Sequence, residues 1–259
     1  MIIYTYKNIG ICYLALNIPD RAEEFYLKAL NLMTLVNAAQ NLDEELLKED
    51  RTQLAAIYFN LYLSSLSNDD KQKAFEYNNK SLEYNMLLHG PNSIQVSNAH
   101  FINSQLALKM GKPDEAVNHM TQALKVFTAE DAELQRSKDE MLLIEARYNI
   151  AFCNIYYIKG DFQKAKEANQ RALDICTDES NFSYETAEEF KKHVHDLEST
   201  KLKCEAKLLN VSSLDLKNPV KAQPETHEVR TLLPVMGLYG MFFSSATFAL
   251  SYAIMKNRY

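Results

Sequence analysis

The sequence predicts an all-α protein built from stacked pairs of helices and ending in one transmembrane helix. Two observations lead to this fold class. A pattern of small and aromatic residues occurs four times between residues 3 and 179, and the 25 residues from Thr231 to Met255 carry no charged side chain. One helix pair cannot bury its apolar face alone, so a recurring pattern of this kind predicts that neighbouring pairs stack.

The first copy of the pattern occupies residues 3–36. Two antiparallel helices approach to about 8–10 Å only where their contacting side chains are short, with larger side chains filling the space beside the contact. Six positions have the required sizes: Ile9, Gly10, Tyr13, Ala22, Tyr26 and Ala29. This stretch closely resembles a tetratricopeptide repeat (TPR). The resemblance implies a right-handed helical solenoid that holds other proteins.

Three further copies are weaker. The copy at 97–130 has Ala107, Gly111, Ala116, Met120 and Ala123, and the copy at 146–179 has Phe152, Cys153, Tyr156, Gly160, Ala165 and Ala172. The copy at 55–88 keeps Leu61 and Ala74 but has Asn78 and Ser81 where an aromatic residue and an alanine are usual. Equivalent alanines are 52, 42 and 49 residues apart along the chain. Since the usual period is about 34, these are enlarged repeats that resemble those of kinesin light chains.

The remaining boundaries follow from composition. Residues 1–182 form the repeat domain of about four helix pairs, and 183–209 form an amphipathic helix that caps the last repeat. Residues 210–230 contain two prolines and little apolar periodicity, so we predict that they form a linker. The transmembrane helix is 231–255, and 256–259 is a short basic tail. No comparable capping helix precedes the first repeat, so either a partner covers that end of the repeat domain or an upstream segment of the chain is missing.

The uncharged segment is long enough to cross a bilayer. As a helix it spans about 37 Å, against a hydrocarbon core of about 30 Å; a buried core helix is the alternative. Small residues recur at four-residue intervals, which permits close contact with another helix in lipid: Gly240, Ser244, Ser245, Ala249 and Ala253. Basic Lys256 and Arg258 follow directly, which resembles mitochondrial tail anchors. This prediction applies equally to the inner and the outer mitochondrial membrane, and an endoplasmic-reticulum tail anchor is the alternative.

The repeat numbering places an apolar, aromatic groove with few charges on the first helix of each pair. Such a surface suits an amphipathic helix or an extended apolar peptide. The alternative is that the lengthened helices pack these residues against one another. The candidate groove residues are Tyr4, Lys7, Ile11, Phe59, Asn60, Leu63, Phe101, Gln105, Arg147, Ile150, Asn154 and Tyr157.

Composition and motifs disfavour most other functions. A net charge of −6 argues against nucleic acid, which favours a basic face. The four cysteines have no metal-binding spacing, so we expect them to be reduced, packed thiols. No catalytic motif and no signal peptide is visible in the sequence. We therefore expect no catalytic residues, no metal, no cofactor and no small-molecule substrate.

These expectations favour a non-enzymatic, membrane-anchored TPR scaffold. Its partners would be the lipid bilayer and other protein subunits of a larger mitochondrial membrane complex, contacted through the groove and the transmembrane helix. The alternative is a tail-anchored adaptor on the mitochondrial outer membrane that recruits a cytosolic partner, similar in plan to fission adaptors.

Overall fold

The computed structural model describes residues 2–39, 44–128, 138–177 and 184–213, and these residues form nine helices and no strand. The helices are α1 (Ile2–Ala15), α2 (Pro19–Ala39), α3 (Glu44–Ser67), α4 (Lys71–His89), α5 (Ile94–Lys109), α6 (Pro113–Phe127), α7 (Lys138–Lys159), α8 (Phe162–Thr177) and α9 (Tyr184–Ser213). The predicted all-α repeat class is confirmed for these ranges.

The described helices belong to two compact units. Unit 1 runs to Leu106 and contains α1 to α4 and most of α5, and unit 2 begins at Ala107 and contains α6 to α9. In unit 1, α2 packs on both α1 and α3, and α3 packs on α4. In unit 2, α7 packs on both α6 and α8, and α8 packs on α9. Connections of two or three residues join α1 to α2, α3 to α4 and α7 to α8, so these pairs are antiparallel.

Small residues lie at the contacts between paired helices, as the repeat pattern predicts. The two small-residue positions of each second helix are at most 2% exposed in all four repeats: Ala22, Ala29, Ala74, Ser81, Ala116, Ala123, Ala165 and Ala172. A larger side chain at any of them would force the two helices apart. The two helices of each pair can therefore lie close together because the side chains between them are small.

The closest approach in the first repeat is between Gly10 of α1 and Tyr26 of α2. A Cβ atom at Gly10 would lie 2.5 Å from Cε1 of Tyr26, whose side chain is 0% exposed. The second and fourth repeats have different residues at the same two positions, and neither combines two large ones: Tyr62 with Asn78, and Cys153 with Asn169. The two positions together have a limited volume, and each repeat divides that volume differently.

Asn78 occupies the usual aromatic position of the second repeat and makes polar contacts there. Its Nδ2 donates to the Ala99 carbonyl oxygen at 2.9 Å and to Oδ1 of Asn103 at 2.8 Å. Asn103 in turn donates to Asn79, at 2.6 Å. These bonds join α4 to α5 in the interior of unit 1, where a buried amide needs partners. Asn169, at the same repeat position in unit 2, donates to the Leu197 carbonyl oxygen at 2.8 Å and joins α8 to α9.

Two helix boundaries differ from the sequence expectation. The capping helix α9 ends at Ser213, so it includes the first four residues of the segment predicted to be a linker. The first residue there that breaks a helix is Pro219, six positions further on. The extra length of the repeats lies partly in α3, which has 24 residues against 16 in α5. The lengthening therefore lies partly in a first helix, because α3 begins at Glu44 and the second copy of the pattern begins at residue 55.

The membrane segment lies outside the described residues. Within the described ranges, no helix is long and apolar enough to cross a membrane. Residues 231–255 and their small-residue positions at 240, 244, 245, 249 and 253 are not among these ranges, so the transmembrane helix stays a prediction.

The Gly10→Ala substitution tests the close contact with Tyr26. Alanine favours an isolated helix over glycine by about 1 kcal/mol, but overpacking a core costs about 1–3 kcal/mol. Because Tyr26 is fully buried and has no room to move, we expect a net loss of about 1 kcal/mol or more in the free energy of unfolding, measured by urea denaturation.

Two comparisons make this result specific to the contact. Asn8→Ala on the exposed side of α1 should change stability by less than about 0.5 kcal/mol. Tyr26→Met introduces the residue that the third repeat has at this position, and it should recover most of the loss in the double variant. A Gly10→Ala protein as stable as the parent would disprove the volume limit.

Candidate partner-binding surface

Two of the three predicted groove residues of α1, Tyr4 and Lys7, belong to a polar cluster that links α1 to α3. The Tyr4 hydroxyl donates to Glu49 Oε1 at 2.8 Å, and Lys7 Nζ donates to Gln53 Oε1 at 2.7 Å. Gln53 Nε2 also donates to Glu49 at 2.8 Å, and the Lys7 ammonium lies 5.1 Å from the centre of the Tyr4 ring. The cluster orients an aromatic ring and a cation at the surface of unit 1.

The electrostatics of the cluster follow from its hydrogen bonds and burial. The hydrogen bond from Tyr4 lowers the pKa of Glu49 below its usual range, and the same bond raises the pKa of Tyr4. Burial lowers the pKa of Lys7, an effect that the nearby Glu49 carboxylate opposes. Sequence reasoning missed Glu49 and Gln53 because they lie in the lengthened part of α3, before the second repeat begins.

Four predicted groove residues of unit 1 are buried. Phe59 is 8% exposed, Leu63 7%, Phe101 6% and Gln105 5%, and the ring of Phe59 lies 5.4 Å from that of Tyr62. Burial of these positions is what the packing alternative predicts. A partner could reach them only if the helices separated, so the remaining candidates of unit 1 are Tyr4, Lys7 and Asn60, with Ile11 packed against the core of the unit.

The predicted groove residues of unit 2 all lie on α7. Ile150 packs against Ala172, Leu173 and Leu197, and Tyr157 makes an edge contact with Phe162 at 5.4 Å. These two side chains therefore serve packing within the unit. Arg147 and Asn154 are half-buried and stay candidates for partner contact. The structure does not test whether any of the predicted groove residues binds a partner.

A second surface lies on the other side of α1. A shallow depression of about 500 Å³ is lined by Thr5, Asn8, Ile9, Cys12, Tyr13 and Leu16. None of these lining residues is charged. Leu16 is 68% exposed and Ile2, at the other end of the helix, is 63% exposed. The sequence indicated an uncovered first repeat, but it did not show that the uncovered face forms a depression.

The described residues contain no cluster of three or more His, Cys, Asp or Glu side chains that could hold a metal ion. Cys153 and Cys204 lie together in the core of unit 2. Burial raises the pKa of Cys153 to about 12 and also raises the pKa of Cys204. Both are therefore protonated, packed thiols at neutral pH.

Comparison with solved structures finds similar folds. BtubC (BKLC) from P. vanneervenii is 23% identical to this chain, with a TM-score of 0.56 over 70% of this chain and 65% of BtubC. The chain thus spans about two thirds of the length of BtubC. The nearly identical TPR-like repeats of a kinesin light chain protein from Podosopora anserina are 13% identical to this chain, with a TM-score of 0.53 over 82% of this chain and 93% of that one. A point variant of these repeats has a TM-score of 0.54.

These likenesses show a TPR-like helical repeat fold, as the first repeat led us to expect. No protein-family model matches the chain, and no curated protein matches it.

The Glu49 cluster predicts a specific pH dependence of stability. The pKa of Glu49 is lower in the folded protein, so its contribution is complete above the ordinary value and is lost as the pH falls through the folded value. Glu49→Gln should therefore flatten the loss of stability between about pH 5 and pH 3, by less than about 1 kcal/mol because the group is exposed.

Urea denaturation at several pH values measures this effect. Glu45→Gln, an exposed acid on the same helix, is the control and should leave the slope nearly unchanged. The same slope in Glu49→Gln as in the parent protein would show that the cluster does not contribute to folding.

Proposed function

We propose that this chain is a non-enzymatic protein-interaction scaffold that residues 231–255 anchor in a membrane, where it serves as a structural subunit of a larger mitochondrial membrane complex. The observation that carries the scaffold role is the TPR-like fold, which the similar solved structures share. In this fold the interior side chains hold helix pairs together, so function belongs to the surfaces that the pairs present.

Two accessible surfaces support contact with proteins. In unit 1 the hydrogen bonds to Glu49 and Gln53 hold Tyr4 and Lys7 in fixed orientations. Tyrosine is enriched among the residues that contribute most to protein interfaces, and a side chain that is already ordered loses less entropy when a partner binds. In unit 2, Arg147 and Asn154 supply a second, separate set of polar groups.

The anchor rests on the sequence of residues 231–255. A helix of 25 uncharged residues matches the thickness of a bilayer. Its small residues at four-residue spacing suit contact with another membrane helix, which a subunit of a complex requires and an isolated anchor does not. Lys256 and Arg258 behind the segment favour a mitochondrial membrane.

A tail-anchored adaptor is the second candidate. It is favoured by the ordered Tyr4 and Lys7 cluster, because an adaptor needs an accessible patch that a soluble protein can bind. The two roles differ in where the partner lies: a subunit holds other membrane proteins, whereas an adaptor captures a soluble protein from the cytosol.

Alkaline carbonate extraction tests the anchor. The full chain should stay with the membrane pellet, and a chain ending at Arg230 should move to the supernatant, because only the full chain retains the uncharged segment. Release of the full chain by carbonate would refute membrane anchoring.

Native electrophoresis after mild detergent extraction tests the complex. We expect the full chain in a species several times its own mass of 29.7 kDa, and partial loss of that species in a Tyr4→Ala, Asn60→Ala variant. Leu87→Ala, at an exposed apolar residue of α4, is the matched control. Migration of the detergent-extracted chain alone would contradict the subunit role, and a soluble partner lost with the same variant would favour the adaptor.

A further inference from the structure

The outer face of α1, defined here as Ile2, Ile9, Cys12 and Leu16, has the character of a contact between repeats. Cys12 is exposed. The residues at the same repeat position in the other three repeats are Ser64, Leu106 and Ile155, which are 0%, 2% and 0% exposed. This position is therefore buried wherever a preceding helix is present, and it is exposed only in α1 among the described repeats.

The equivalent faces of later first helices are covered by a preceding second helix. In unit 1, α2 packs on α3, and in unit 2, α6 packs on α7. An occupant of the outer face of α1 is thus expected to be an uncharged helix, because the face itself carries no charge.

The size of the face favours an occupant that belongs to the same chain. A 14-residue helix is about 21 Å long, so one helix packed on it buries less than the roughly 1,600 Å² of a stable protein–protein interface. A free partner would bind weakly to so small a surface. A segment of the same chain whose linker spans the distance gains a high effective concentration, which offsets the small area.

Residues 231–255 match this description. The segment is uncharged, and Gly240, Ser244 and Ala249 provide short side chains. Outside lipid, an uncharged stretch of this length needs apolar cover to stay out of water. The 17 residues between Ser213 and Thr231 extend up to about 56 Å, which gives the segment reach beyond α9.

We propose that residues 231–255 fold back onto the outer face of α1 when no bilayer is present, and leave it when they enter lipid. This inference rests on the proposed anchoring role of the segment and adds a second binding site for it on the chain itself. Entry into the membrane would then leave the outer face of α1 uncovered.

Cys12 is a natural reporter for this contact. It lies in the depression of α1, whereas Cys153 and Cys204 are buried. In a Cys176→Ser background, the rate at which a polyethylene-glycol maleimide labels Cys12 can be measured on protein made by cell-free synthesis without membranes. We expect labelling of Cys12 in the full chain to be about tenfold slower than in a chain ending at Arg230, which corresponds to a face covered about nine-tenths of the time.

Two variants separate docking from aggregation of the tail. Leu16→Asp places a charge in the covered face and should restore fast labelling of Cys12 in the full chain. Leu87→Cys in a Cys12→Ser background reports an exposed position on α4, and its labelling should be the same with and without the tail. Equal labelling of Cys12 in the full and shortened chains, equal slowing at both positions, or protection that disappears on dilution would each overturn the proposal.

Addition of liposomes distinguishes this proposal from the anchoring role. Docking and release predict that Cys12 becomes reactive when the chain inserts and resists carbonate extraction. Protection of Cys12 without carbonate resistance would refute the anchor and leave the docking contact standing. Carbonate resistance with Cys12 still protected would refute the release step.

Discussion

The structure depends on the close approach of the two helices in each repeat. That approach requires small residues at fixed positions, and every such position of the second helices is at most 2% exposed. Gly10 and Tyr26 show how narrow the limit is, because even one added methyl group would overlap the tyrosine ring. The longer helices and the stacking of one pair on the next are possible only because this contact is satisfied first.

Polar residues in the interior give the stack specific partners. Asn78 and Asn169 occupy the position that is aromatic in the first repeat, and each donates to a backbone carbonyl of the following helix. Apolar contacts tolerate small shifts between helices, whereas a buried amide loses its hydrogen bonds if the helices slide. The asparagines therefore fix the register of α4 on α5 and of α8 on α9, at positions where the repeat pattern is weakest.

The same need for cover links the two apolar features that the described repeats leave open. The outer face of α1 has the composition of a contact between repeats but no neighbouring helix, and residues 231–255 are a long uncharged stretch. Both lower their free energy by leaving water. A scaffold that exchanges one apolar neighbour for another at the membrane would use both features, with the polar cluster of Tyr4, Lys7 and Glu49 unaffected on the opposite side of α1.

The sequence by itself determined the repeat class, because helix packing places small and aromatic residues at positions set by local spacing. Only the tertiary structure decided which groove positions are accessible: Phe59, Leu63, Phe101 and Gln105 have the repeat numbering of groove residues but are buried. Burial depends on how neighbouring helices are arranged. Likewise Glu49 joins Tyr4 across 45 residues of sequence, a pairing that no local pattern encodes.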